Sequence, residues 1–185
     1  MILALTGAGI SKASGIPTFE DQPGIRDSLS RSFANCHQAE YDRVIANMQA
    51  QVDRATPNDA HIALAEHDIP IITMNIDGLH QRAGSKHILP IHGTLPDIIL
   101  YEDPAPLYDT ARTWASLLLP GDFFLIVGTS FYTAIATQLK YIALGSGADI
   151  YEINDDAEHK VRDFLRQAET PACSFEEFLK RSDIA

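Results

Sequence analysis

Residues 1–20, MILALTGAGISKASGIPTFE, constrain what this chain can fold into more than any other stretch. Ile2, Leu3, Ala4 and Leu5 form an apolar run of buried-strand type. Thr6-Gly7-Ala8-Gly9 follows, then a segment with small residues at Ser11, Ala13, Ser14 and Gly15. A buried strand that opens through glycines into a helix start is how a doubly wound α/β protein takes up a phosphate. The backbone can come close to the ligand, and the first N–H groups and dipole of the helix favour negative charge. The same residues also make a tight strand-to-helix turn that binds nothing. The stretch therefore predicts an architecture and leaves the ligand open.

The rest of the chain repeats the alternation that this start announces. Strand-like apolar runs occur at 69–74, 88–91, 98–101, 123–127 and 149–153, the run at 123–127 being wholly apolar as in a strand buried on both faces. Helix-period segments lie at about 36–55, 56–67, 109–119, 134–144 and 157–166. Thr56 is expected to cap the second of these, with Pro57 at its first position and Asp59 as the reciprocal cap. Ser174 and Glu177 predict a capping box for a terminal helix. Residues 21–35 are polar and without a period, and read as a long loop with one helical turn. The expectation is one α/β domain over 1–185: a Rossmann-like, doubly wound parallel sheet with a loop and small helical insertion at about 20–67.

Composition narrows the function. The 185 residues carry 25 acidic against 14 basic side chains, a formal net charge of -11. That argues against a nucleic-acid surface, which needs a basic footprint. No apolar run approaches the ~20 residues of a membrane span, and no basic region precedes the first strand, so a soluble, cytoplasmic protein is expected. Cys36 and Cys173 form no CxxC pair, so neither a zinc site nor a disulfide framework is expected.

The predicted strand ends carry the chemistry. They deliver Gly7-Ala8-Gly9, Asn75 with Asp77, His92, Gly128-Thr129-Ser130, and Asn154 with Asp155. Each has a local reading, as a cap, a turn histidine or a polar loop. Together they put hydrogen-bonding groups, carboxylates and one titratable imidazole on the sheet edge where a dinucleotide binds.

These residues resemble the sirtuins, the NAD-dependent protein deacylases. GAGIS and SGIPTF (7–11 and 14–19), TMNIDGLHQRAGS (73–85), His92-Gly93, GTS (128–130) and Asn154 fall in that family's order, and Pro57-Asn58 before His61 also matches. The resemblance implies NAD bound by Gly7, Ala8, Gly9, Ser14, Pro17, Thr18 and Phe19, by Met74, Asn75, Ile76, Asp77 and His92, and by Gly128, Thr129, Ser130, Asn154 and Asp155. It implies His92 as general base towards a ribose hydroxyl, with Asn75 and Asp77 on the nicotinamide side. The implied partner is an acyl-lysine protein whose backbone pairs with Ile99, Leu100 and Tyr101 as an added strand. The implied products are nicotinamide, a free lysine and O-acyl-ADP-ribose. Imidazole suits the base because it titrates near working pH.

Four departures stand out against the resemblance. His92-Gly93 runs through Thr94-Leu95-Pro96 straight to Ile98, leaving no room for the four-cysteine zinc module, so no metal is expected. Glu20 stands where the family has arginine, with Arg26 in the same loop as a substitute. Met74 replaces a glutamine, and Glu102 a glycine beside the peptide-pairing segment. Two other readings stay open: an NAD glycohydrolase without a protein substrate, and a module that holds NAD or ADP-ribose without turnover.

Overall fold

A computed structural model describes residues 1–22, 24–170 and 172–183. Five parallel strands form its sheet: β1 (Ile2–Thr6), β2 (Ile71–Thr73), β3 (Ile88–Pro90), β6 (Phe123–Val127) and β7 (Asp149–Ile153), in the order β3-β2-β1-β6-β7. The register pairs Thr6 with both Thr73 and Val127, so these three strands end level. The order reverses between β1 and β6, and such a reversal opens a crevice at the carboxyl ends of the strands. The doubly wound sheet expected from the alternation is present.

Both faces are covered, which is why the central strands are apolar throughout. Leu3, Leu5, Phe124 and Ile126 face Trp114 and Leu118, together with Leu139 of α6 (Ala134–Gly145) and Phe178 of α8 (Phe175–Lys180). Trp114 belongs to α5 (Tyr108–Ser116). Their neighbours Ile2, Ala4, Leu125 and Val127 face the other way. They meet Leu64 of α3 (Asp59–Glu66) and Val161 and Leu165 of α7 (Ala157–Gln167). The period of two along each strand thus divides the side chains between two cores.

A third, smaller core joins the insertion to the sheet edge. Leu29 and Ala34 of the loop and α1 (Arg31–Cys36) pack with Leu100, against Tyr41, Val44, Ile45 and Met48 of α2 (Gln38–Arg54). Leu79–Arg82 forms α4. The Ser174–Glu177 capping box is present in full.

Two expectations need correction. Asn58, not Thr56, caps α3: its Oδ1 accepts from the N–H of Ala60 at 3.0 Å, while its Nδ2 donates to the Ile10 carbonyl at 2.7 Å. Residues 98–101 do not form a strand of the sheet. Asp97–Ile98 is β5, which pairs with β4 (Gly93–Thr94) in a short antiparallel hairpin. The helix start expected after the first glycines is present, as a 3-10 helix over Ala8–Ser14.

Candidate active site

The five strand ends surround one cavity of about 830 Å3. That lies inside the range of about 300–1,000 Å3 usual for small-molecule sites. Its floor is a backbone crossing. Gly7 N–H donates to the Val127 carbonyl and Gly9 N–H to the Gly128 carbonyl, both at 2.9 Å. Gly128 has φ +63°, and a Cβ there would sit 2.6 Å from the Gly9 Cα. The glycine is required by contact between two loops, not only by closeness to a ligand.

Beyond the crossing, Thr129, Ser130, Asn154 and Asp155 line the wall built by β6 and β7. Asn154 Oδ1 accepts the Thr129 N–H at 3.2 Å. The Thr129 hydroxyl is buried and finds no partner among the described residues. On the loop side stand Thr18, Phe19, Glu20 and Arg26. The Arg26 guanidinium lies 3.7 Å from the centroid of the Tyr132 ring and 5.2 Å from that of Phe19, and its Nε has no partner among the described residues. Three non-glycine residues with positive φ also line the cavity: Glu102, Phe131 and Asp156. Backbone strain of this kind costs about 1–3 kcal/mol each and concentrates at functional sites.

Behind the cavity runs a buried polar spine. Ser11 donates its hydroxyl to Asp77 Oδ2 at 2.6 Å and accepts from Asn75 Nδ2 at 3.1 Å. Asp77 Oδ1 accepts the N–H of Leu79, the first residue of α4, at 2.9 Å. His61 lies with Nε2 3.4 Å from the Ser11 hydroxyl and Nδ1 3.1 Å from Asn58 Oδ1. The His80 ring stands 4.9 Å from that of His61, and its Nε2 is 2.9 Å from the Thr6 hydroxyl. Burial pushes His61 down to about 4, against an opposing pull from the Asp77 carboxylate. Burial and the neighbouring His61 push His80 down to about 3. Both rings are neutral at pH 7.

His92 follows β3. Its Nδ1 is 3.2 Å from the Met74 carbonyl, which can only accept, so Nδ1 carries the proton and Nε2 offers the lone pair. Nε2 meets the hydroxyl of Tyr108, the first residue of α5, at 2.9 Å. Burial lowers the His92 pKa, while the bond to Met74 works the other way. An imidazole kept neutral, with its basic nitrogen at the cavity wall, is equipped to take a proton.

A model of the Sir2 family matches residues 7–99. An NAD-dependent protein deacylase from Thermus thermophilus is 31% identical over 84% of this chain and 79% of that protein. The chain belongs to the Sir2 family. A second relative, NAD-dependent protein deacylase 1 from Caldanaerobacter subterraneus subsp. tengcongensis, is 27% identical over 84% of this chain and 83% of that protein. The Sir2 fold is evident in solved structures too. A Sir2 homologue in complex with NAD superposes with a TM-score of 0.82 at 23% identity, over 90% of this chain and 88% of that one.

Most of the residues expected at the site of this Sir2 member line the cavity. They are Gly7, Ala8, Gly9, Thr18, Phe19, Met74, Asn75, Ile76, His92, Ile99, Leu100, Tyr101, Gly128, Thr129, Ser130, Asn154 and Asp155. Ser14, Pro17 and Asp77 do not. Ser14 accepts from Asn58 Nδ2 at 3.0 Å, and Asp77 is 7% exposed behind Ser11. Tyr108 and Tyr132 also line the cavity, and neither is singled out by a motif in the sequence.

The family departures acquire physical detail. Met74 Sδ accepts from the Thr133 hydroxyl at 3.3 Å, tying the β2 and β6 ends together across the cavity. Glu102 adopts φ +78° and turns its carboxylate to α1, accepting from the Ser32 N–H at 3.0 Å and its hydroxyl at 2.8 Å. Beside it Arg31 grips Asp103 through two bonds of 2.9 and 2.6 Å. The backbone of Tyr101 is also taken: its N–H donates to the Leu29 carbonyl at 2.9 Å, and its carbonyl accepts from the Arg31 N–H at 3.0 Å. The segment expected to receive a substrate strand thus has one edge closed by residues 29–31. Among the described residues, no group of three or more His, Cys, Asp or Glu could hold a metal ion.

Proposed function

We propose that the chain is an NAD-dependent protein lysine deacylase acting at this cavity. The observation that carries the reading is the meeting of His92, Asn75 and the Thr129-Ser130 and Asn154-Asp155 loops around one crevice at the reversal of strand order. The deacylase names of its relatives point the same way.

The lining fits a pyrophosphate-linked dinucleotide. The partnerless Thr129 hydroxyl and the Arg26 guanidinium suit phosphate oxygens, and Asn154 and Asp155 suit ribose hydroxyls. When bound, NAD supplies a glycosidic bond to a cationic nicotinamide leaving group. Asn75 orients the nicotinamide side, and Asp77 acts through Ser11, whose hydroxyl it fixes while Ser11 accepts from Asn75. His92 takes a ribose-hydroxyl proton at Nε2 while the Met74 carbonyl holds Nδ1–H in place. Ile98, Ile99 and Leu100, with Phe131 and Tyr132 of the same cavity, offer apolar surface to an acyl-lysine segment and limit the access of water.

The protein needs no zinc in this reading, because the cleft wall is braced by the Arg31–Asp103 and Glu102–Ser32 contacts. The free thiols of Cys36 and Cys173 suit a reducing compartment such as the cytoplasm. One observation favours a second reading. The closed edge at Tyr101 reduces backbone pairing for a peptide, as an NAD glycohydrolase would tolerate.

Nicotinamide release from NAD, measured with and without an acetyl-lysine peptide, separates the two. Release that requires peptide is the expected result, with deacylation of the peptide lost in His92→Ala. Release indifferent to peptide would favour the glycohydrolase.

A further inference from the structure

The phenol of Tyr108 holds the one basic nitrogen that His92 has to offer. With the His92 proton on Nδ1, the 2.9 Å contact at Nε2 runs from the Tyr108 O–H to the imidazole lone pair. A substrate hydroxyl bonding Nε2 directly would have to displace the phenol first. The phenol oxygen, however, keeps lone pairs of its own, and both side chains line the cavity. The hydroxyl also stays protonated at neutral pH, because burial and the nearby Tyr101 raise its pKa. It is then donor and acceptor at once, as a proton carrier must be.

We propose that Tyr108 is a catalytic relay between a substrate hydroxyl and His92. This rests on the deacylase reading above. The substrate O–H bond breaks as a new O–H bond forms on Tyr108. In the same movement the original Tyr108 O–H bond breaks and an N–H bond forms at His92 Nε2. The phenol ends neutral and the imidazole ends as imidazolium. The electron pair left on the substrate oxygen forms a bond to the acyl carbon, and the π pair of that carbon's bond to the lysine nitrogen moves onto the nitrogen. No side chain needs to swing, which suits a tyrosine set at the first turn of α5 with the Arg112 guanidinium 5.9 Å from its ring.

Tyr108→Phe removes the hydroxyl and keeps the ring. In the ligand-free protein, nitrogen NMR should show His92 Nε2 losing a hydrogen-bond donor while Nδ1 stays protonated. With NAD and an acetyl-lysine peptide, kcat should fall at least about tenfold, within the range for lost proton-transfer catalysis, while both KM values hold within about threefold. Melting temperature and ADP-ribose binding check that the variant is folded. As a second variant, a fluorinated tyrosine at 108 keeps the shape and lowers the phenol pKa, and a relay requires kcat to respond.

Unchanged or faster turnover by Tyr108→Phe would overturn the relay, leaving the phenol as a plug that substrate displaces. A change confined to KM would overturn it in favour of ligand contact alone. A wild-type protein that turned over no acyl peptide would sink the deacylase reading and the relay together. An active wild type beside an unaffected Tyr108→Phe would sink the relay only.

Discussion

Acid should weaken this protein well before its carboxylates titrate, because two neutral imidazoles are buried behind the active site. His61 sits near 4 and His80 near 3 in the folded chain, against about 6.5 when exposed. Their folded values are depressed, so the unfolded state binds more protons below pH 6.5. The stability they contribute is complete above that value and is lost as pH falls towards 4 and then 3. Each histidine changes the unfolding free energy by up to about 1.4 kcal/mol per pH unit. Integrated from pH 7 to pH 5, that is about 2 kcal/mol per ring and about 4 kcal/mol for the pair, a large share of a typical 5–15 kcal/mol. His92, also lowered by burial, adds in the same direction. Urea unfolding at pH 7, 6 and 5 measures the sum, and NMR titration of the ring carbons assigns it. A loss under about 1 kcal/mol, or either buried ring titrating above pH 6, would refute the reasoning.

Gly128→Ala should cost at least about 3 kcal/mol, from a disfavoured φ and a Cβ driven into the Gly9 backbone, and should abolish ADP-ribose binding in calorimetry. Ser11→Ala leaves the Asp77 carboxylate short of a buried donor, and urea melts should show a loss of about 1–3 kcal/mol with weaker NAD binding. Glu102→Gly keeps the positive φ without strain but removes the brace to Ser32, so peptide KM should rise while NAD KM holds in steady-state assays. Exhaustive chelation should leave the melting temperature and turnover unchanged, and elemental analysis should find no stoichiometric zinc.

What could be read from the sequence followed how local each signal was. The wholly apolar run at 123–127 and the Ser174–Glu177 box declare themselves within a few residues, and both are present as expected. The helix start in Thr56-Pro57-Asn58-Asp59 misleads because three side chains there can cap. Asn58 is the one that also reaches Ile10 and Ser14, more than forty residues back, and no local pattern encodes that reach. Residues 98–101 look like a strand from composition. Their partners, Gly93 on one side and Leu29 and Arg31 on the other, are set by tertiary packing. The glycine and Asn-Ile-Asp motifs placed the cavity, but motif identity did not separate Asn75, which lines it, from Asp77, which stands behind it. Tyr108 was invisible because its meaning lies wholly in its distance from His92.

The crossing of Gly7 and Gly9 under Gly128 divides the site into parts of unequal freedom. Its walls are side chains on loops: Phe131, Tyr132 and Thr133 after one strand, Asp155 after another, Glu20 and Arg26 on the insertion. Each can be exchanged with little consequence for the sheet. The floor is main chain touching main chain, with no side chain to vary and no space to add one. Any redesign of ligand preference on this scaffold must therefore come from the rim inward. Descendants of such a chain can change what they bind many times over while the place where they bind it stays put.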